Sequence, residues 1–159
     1  MLIILMFIGT VAIAIVGLQQ NADKYSDFYH VGYQITSKVM NMRRGLQIIV
    51  KDLSFITMEE DETKSEAHLS DMEKELALLQ ENGNWLFENF TGDQALLDAF
   101  STNITEAVEM QKKVIEIAGT DMAAAQEMLL EQYQPLVQEA VNNLIQISNV
   151  AEQNAETDY

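Results

Sequence analysis

The stretch YSDFYHVGYQITSKVMNMRRGLQIIVKDLSFI, residues 25–56, repeats its apolar side chains in alternating steps of three and four. Tyr25, Gly32, Val39, Leu46 and Leu53 fall on one heptad position, and Phe28, Ile35, Met42, Ile49 and Ile56 on the other. That spacing is the buried stripe of a helix that packs on partner helices. Immediately upstream, residues 2–18 (LIILMFIGTVAIAIVGL) carry no charge, and Thr10 is their only polar side chain. At a rise of ~1.5 Å per residue, such a run is just long enough to cross a hydrocarbon core. No Pro separates the two patterns, and Gln19, Gln20, Asn21, Asp23 and Lys24 at the junction suit a membrane surface. The expectation is a transmembrane helix over residues 1–19 that runs directly into helix 1 of a domain over residues 20–159.

Composition narrows the rest. The chain has 159 residues, a single Pro, seven Gly and no Cys. With Ala, Leu, Glu, Gln and Met abundant and β-branched residues at helical spacing, the fold class is all-α, in one domain of moderate core. A formal net charge of −16 sets the chain against DNA, RNA and anionic lipid surfaces. The absence of Cys excludes a disulfide framework and a thiolate metal site. No Lys or Arg precedes the apolar run, and the small-residue triplet Ala12-Ile13-Ala14 lies inside it rather than after it, so an uncleaved anchor is expected.

Helix 1 should end near Thr57, before the acidic run Glu59-Glu60-Asp61-Glu62, which reads as a solvated tip. Thr63-Lys64-Ser65-Glu66 has the form of a capping box and should start helix 2, with a stripe of Leu69, Met72, Leu76, Leu79, Gly83, Leu86 and Phe90. Thr91-Gly92-Asp93-Gln94 repeats that signature ahead of helix 3, whose stripe is Leu97, Phe100, Ile104, Ala107, Gln111, Val114 and Ala118. Gly119 is the expected C-cap, and Thr120 or Asp121 the N-cap of helix 4. Helix 4 carries Leu130, Tyr133, Val137, Ala140, Leu144, Ile147 and Ala151, and Pro135 should kink or break it near residues 131–134. Short turns make the helices run up, down, up and down. Helices 1 and 4 are about 37 residues each and helices 2 and 3 about 25, which leaves a two-helix stalk of ~18 Å on the membrane side. Trp85, Phe87 and Phe90 should close the lower end of the bundle.

Signatures of catalysis are missing: there is no phosphate loop, nucleophile elbow or His-Glu-x-x-His, and no Glu-x-x-His pair for a di-iron bundle. His30 and His68 each lack a second ligand at helical spacing. The expectation is a non-enzyme without cofactor or metal. Cations are scarce and therefore more telling. The only two arginines, Arg43 and Arg44, are adjacent, with Lys38 and Lys51 on the same helix. A guanidinium fork binds a carboxylate through two charge-assisted hydrogen bonds, so the pair either forms an anion site at a dimer interface or neutralises acidic faces such as Glu127, Glu131 and Glu139. Counted from the bundle tip, Arg43 and Pro135 come to the same height, which would bring Tyr133, Gln134 and Gln138 to the same region. The candidate ligand-binding residues are thus Arg43, Arg44, Tyr133, Gln134, Lys38 and Gln138, for a small anion such as an organic acid.

This layout resembles the four-helix-bundle sensor domain of bacterial methyl-accepting chemotaxis proteins. The similarity covers nearly the whole chain: a membrane helix entering helix 1, an acidic tip, shorter helices 2 and 3, and Ala-Gly-Thr-Asp-Met-Ala-Ala-Ala-Gln (residues 118–126) leading into helix 4. Gln134-Pro135 is similar to a Gln-Pro step in amino-acid-sensing members, although Leu136 stands where those members have a hydroxyl residue. The resemblance implies a homodimer in a bacterial cell membrane, with the bundle on the extracytoplasmic side. It also implies a direct small ligand or a ligand-loaded binding protein, and a second membrane helix, a HAMP linker and a kinase-controlling signalling region further on. Two other readings stand beside it: the sensor of a membrane histidine kinase or cyclase, and a membrane-anchored structural bundle that binds another protein.

Overall fold

The computed structural model describes residues 31–59 and 61–157, so the apolar run and the first turns of helix 1, including Tyr25, Phe28 and His30, lie outside the described residues. Within them the protein is all-helical. Helix α1 covers residues 31–56, α2 Glu62–Asn89, α3 Gln94–Ala118, α4 Met122–Met128 and α5 Gln134–Thr157, with a π-helical turn, Leu129–Tyr133, joining the last two. No helix among the described residues is long and apolar enough to cross a membrane.

The heptad stripes are the core. Ile35, Val39, Met42, Leu46, Ile49, Leu53 and Ile56 of α1 are all buried, against Met72, Leu79, Leu86 and Phe90 of α2 and Leu97, Phe100, Ala107 and Val114 of α3. Helix α3 packs along α4, the π turn and α5. Cross-helix contacts fix how neighbours are aligned. Between α1 and α2, His68 Nδ1 lies 3.1 Å from Asp52 Oδ1, and Lys38 Nζ donates to Asn82 Oδ1 at 3.0 Å. Between α1 and α5, Ser148 Oγ donates to Thr36 Oγ1 at 3.4 Å. Along α1 and α2, residue numbers fall on one helix as they rise on the other.

Helix ends follow the expected places with one shift in the residue responsible. Both Thr-led boxes give way to an aspartate: Asp61 accepts from the Thr63 amide at 3.1 Å and Asp93 from the Ala95 amide at 3.0 Å, so these are the N-caps of α2 and α3. A carboxylate accepts more strongly than a hydroxyl and favours the positive helix end, which is why the aspartates win. Asp121 caps α4 through the Ala124 amide, and Gly119 is the C-cap of α3. Between α2 and α3 the chain passes close to α5. A Cβ on Gly92 would come within 2.6 Å of Val150 Cγ1 and also collide with the Phe90 ring, so glycine is required by the approach itself.

Pro135 neither breaks helix 4 nor leaves it regular. The Gln134 amide bonds Leu129 oxygen, five residues back, so the turn ahead of the proline is widened. This corrects the expected stripe: Leu129, at 1 % exposure, is in the core, and Leu130, at 52 %, is outside it. The buried positions read Ala125, Leu129, Tyr133, Val137 and Ala140, three steps of four followed by one of three. In an ideal α-helix each step of four leads the axis by ~40°, so three in succession would swing the stripe by ~120° out of the core. A π turn accommodates one additional residue and keeps the stripe inward.

Candidate functional site

The sequence-derived residues occupy three different settings. Lys38 is half-buried on the flank of α1 that faces α2, where its ammonium bonds Asn82 and lies 5.0 Å from the centre of the Trp85 ring. That cation–π contact, with Asn82 as acceptor, holds the amine at the α1–α2 seam. Of the three aromatics expected to close the lower end of the bundle, Phe90 is buried, Trp85 is half-buried against the core and Phe87 is exposed.

Arg44 projects from the outer side of the same seam. It lines a hollow of about 270 Å³ with Asn41, Met42 and Gly45 of α1 and Glu75, Leu78, Leu79 and Asn82 of α2. Arg43, one residue earlier, lies on the opposite flank of α1, one heptad from Thr36, which bonds Ser148 of α5. Its Nε is buried and has no hydrogen-bond partner; Asn143 Nδ2 on α5 is in the same condition. Neither arginine belongs to any ion pair among the described residues.

In the π turn and α5 the polar residues around Pro135 are dispersed. Tyr133 is in the core at 2 % exposure, and burial pushes its phenol well above the ordinary tyrosine range. Gln134 is half-buried, whereas Gln138 is exposed and donates to Asn142 on its own helix at 3.1 Å. The Thr36–Ser148 contact also changes the height of Arg43. One heptad along each helix, Arg43 is level with Val141, six residues and ~9 Å from Pro135. The count from the tip gave another answer because the two tip turns are not at one height: the same alignment sets Thr57 against residue 127, about a turn and a half into the fourth helix. Structure therefore brings Lys38 and Arg44 to one seam and Arg43 to the next, with Tyr133 and Gln134 further towards the tip.

Two features had no sequence signal. A larger hollow of about 550 Å³ opens between α2 and α3, floored by Leu79 and Gly83, walled by Phe87, Phe100, Ile104 and Val108, and rimmed by Gln80, Asn84, Ser101 and Thr105. Near the tip, Asp52 is buried at 2 % exposure and held by Lys51 Nζ and His68 Nδ1, both at 3.1 Å, while the His68 ring stacks on Phe55 at 4.9 Å. A buried carboxylate is tolerated only when so paired, and this pair pins α1 to α2. Among the described residues no group of three or more His, Asp or Glu is placed to hold a metal ion.

No family model, curated protein or solved structure matches this chain.

Proposed function

We propose that this chain is the extracytoplasmic sensor domain of a bacterial chemoreceptor-type membrane protein. In this reading it is an up-down-up-down four-helix bundle whose first helix continues from a transmembrane anchor at residues 1–19. It works as a homodimer in the cell membrane and passes ligand binding through α1 and α5 towards the bilayer. The observation that carries this reading is the buried α1 stripe from Ile35 to Ile56, on a helix that follows an apolar run in the sequence and is tied to α5 by Thr36 and Ser148. The paired contacts Asp52–His68, Lys38–Asn82 and Thr36–Ser148 support antiparallel neighbours. The two helices that point to the membrane are also those joined by that bond.

Charge supports a small anionic ligand. Over residues 31–57 the cations are Lys38, Arg43, Arg44 and Lys51, and the only acid is the buried Asp52. The other helices are strongly acidic. Among the described residues, an otherwise anionic protein thus presents a cationic helix whose arginines form no ion pair. Ligand binding must favour one of two arrangements of α1 and α5 to send a signal. Thermal-shift screening of the full chain in a mild detergent against short mono- and dicarboxylates tests this. A stabilising acid is expected, with its effect lost in the double variant Arg43→Ala, Arg44→Ala. An acid that stabilises the double variant equally refutes the site, and no stabilisation by any acid refutes direct anion sensing.

A further inference from the structure

Helix α3 packs closely along α5, but its backbone and that of α2 stand apart, and the hollow of about 550 Å³ lies between them. Part of that space is owed to a single residue. Gly83 is buried in the middle of α2, on the stripe of Met72, Leu79 and Leu86, where a larger apolar side chain would extend the core. No special backbone conformation calls for glycine there, since no glycine among the described residues has a positive φ. Nor is room lacking: the nearest atom a Cβ on Gly83 would meet is Met42 Cε at 3.8 Å, an ordinary contact, in contrast to the collisions at Gly92. Glycine in a helix interior is less favourable than alanine, so this one lowers stability without a packing requirement. What it preserves is the empty volume.

The chemistry of the lining selects what would fill it. Leu76, Ile104 and Val108 are half-buried and Phe87 is 43 % exposed, so an apolar wall continues from the core into open space. The rim of Gln80, Asn84, Ser101 and Thr105 offers donors and acceptors without charge. In a chain of formal net charge −16, this lining holds one acid, Glu109, and one base, Lys112, whose charges cancel. We propose that the hollow binds an uncharged amphiphile, a short aliphatic chain with an amide or hydroxyl head. The chain lies on the apolar wall, and the head bonds the amides and hydroxyls of the rim. A carboxylate or ammonium head would give up its hydration to neutral side chains with no net counter-charge to replace it. The volume falls within the ~300–1,000 Å³ of small-molecule sites. On α3 the lining runs from Phe100 to Lys112, ~18 Å, which suits an elongated ligand. This site is separate from the arginines of α1 and does not depend on the anion reading.

The test is calorimetric titration of the full chain in lipid nanodiscs, with empty nanodiscs titrated as the blank for partitioning into lipid. Hexanamide and hexan-1-ol are the uncharged probes, hexanoate and hexylamine their charged counterparts of equal chain length, and acetamide the head without the chain. At least one uncharged six-carbon probe is expected to bind tenfold or more tightly than the charged pair and acetamide. Gly83→Leu should weaken that binding at least tenfold by filling the hollow, while its thermal melt is unchanged or raised, because leucine suits a helix interior better than glycine. If Gly83→Leu melts below the parent, Ser101→Phe on the exposed rim takes its place, with the same loss of binding expected. Hexanoate or hexylamine binding as tightly as the uncharged probes overturns the assignment of charge, and acetamide binding as tightly overturns the role of the apolar wall. Uncharged-probe binding that survives both substitutions overturns the assignment to this hollow. Absence of binding by every probe overturns the proposal, and the carboxylate screen decides the anion reading separately.

Discussion

Deleting Leu130 tests the account of the fourth helix. The buried positions from Ala125 to Ala151 depart from a perfect alternation of four and three at one place, the π turn between Leu129 and Tyr133. Removing one residue there converts the steps to four, three, four, three throughout, so the core stripe stays in register in a plain α-helix. Leu130 is 52 % exposed, and its own loss costs little apolar burial. What the deletion does introduce is Pro135 in an ordinary helix interior, without the widened turn, at a cost of about 3 kcal/mol. Replacing Pro135 by Ala in the same chain should recover about that amount. The control is deletion of the exposed Glu139, beyond the π turn. It rotates everything downstream by ~100°, and the fully buried Leu144 and Ile147 leave the core. At ~2–5 kcal/mol for each such side chain, the loss approaches the whole stability of a domain.

Urea denaturation of the full chain in detergent, followed by far-UV circular dichroism, reads all three variants. The expected order of stability is the Leu130 deletion with Pro135→Ala close to the parent, the Leu130 deletion alone lower by about 3 kcal/mol, and the Glu139 deletion unfolded or nearly so. For a domain of this size the middle variant should melt ~6–12 °C below the parent. Equal damage from the Leu130 double variant and the Glu139 deletion would refute the idea that the π turn is one inserted residue that keeps the stripe aligned.

Three further outcomes follow from the caps and the titrating groups. Asp61→Ala should cost about 1 kcal/mol by removing the N-cap of α2, and Thr63→Ala no more than a few tenths; comparing denaturation midpoints decides between the aspartate and the Thr-led box. The hydrogen bond and charge of Lys74 hold the Asp71 carboxyl below its ordinary value of 3.8, so its contribution to stability is present above that value and lost as pH falls through the lower folded value. In a pH titration by NMR, Lys74→Met should bring the Asp71 midpoint back up. Tyr133 behaves in the opposite sense: its pKa is raised by burial, so stability is intact below the ordinary phenol value of 10.0 and falls as pH rises above it. Tyr133→Phe should remove that part of alkaline unfolding, measured by circular dichroism across the alkaline range, and a variant that unfolds along the parent's curve would show the phenol to be uninvolved.

Much of the fold was legible because its signals are local. A heptad stripe is decided within two turns of chain, and Val39, Met42, Leu46, Ile49 and Leu53 are buried where their spacing put them. The turn positions at Thr57, Gly92 and Gly119–Asp121 were also readable, since caps and glycines act on their immediate neighbours. Even the irregularity before Pro135 was visible in kind, because a missing amide must disturb the preceding turn.

The candidate site was legible only in part. The sequence by itself determined an all-helical chain, the faces its helices bury, and the concentration of cations on α1. Tertiary structure decided the rest. Whether Pro135 produces a break or a π turn depends on keeping Tyr133 and Leu129 in a common core, which no local rule contains. The heights of Arg43 and Pro135 depend on how far one tip turn stands above the other, a property of helix packing rather than of helix length. The pairing of Gly45 with Glu75, one heptad from Lys38 and Asn82, joins residues far apart in the chain. Periodicity assigns a residue to a face; only packing assigns that face its neighbour, and the contacts of Lys38 and Gly45 at the α1–α2 seam exist by virtue of that neighbour.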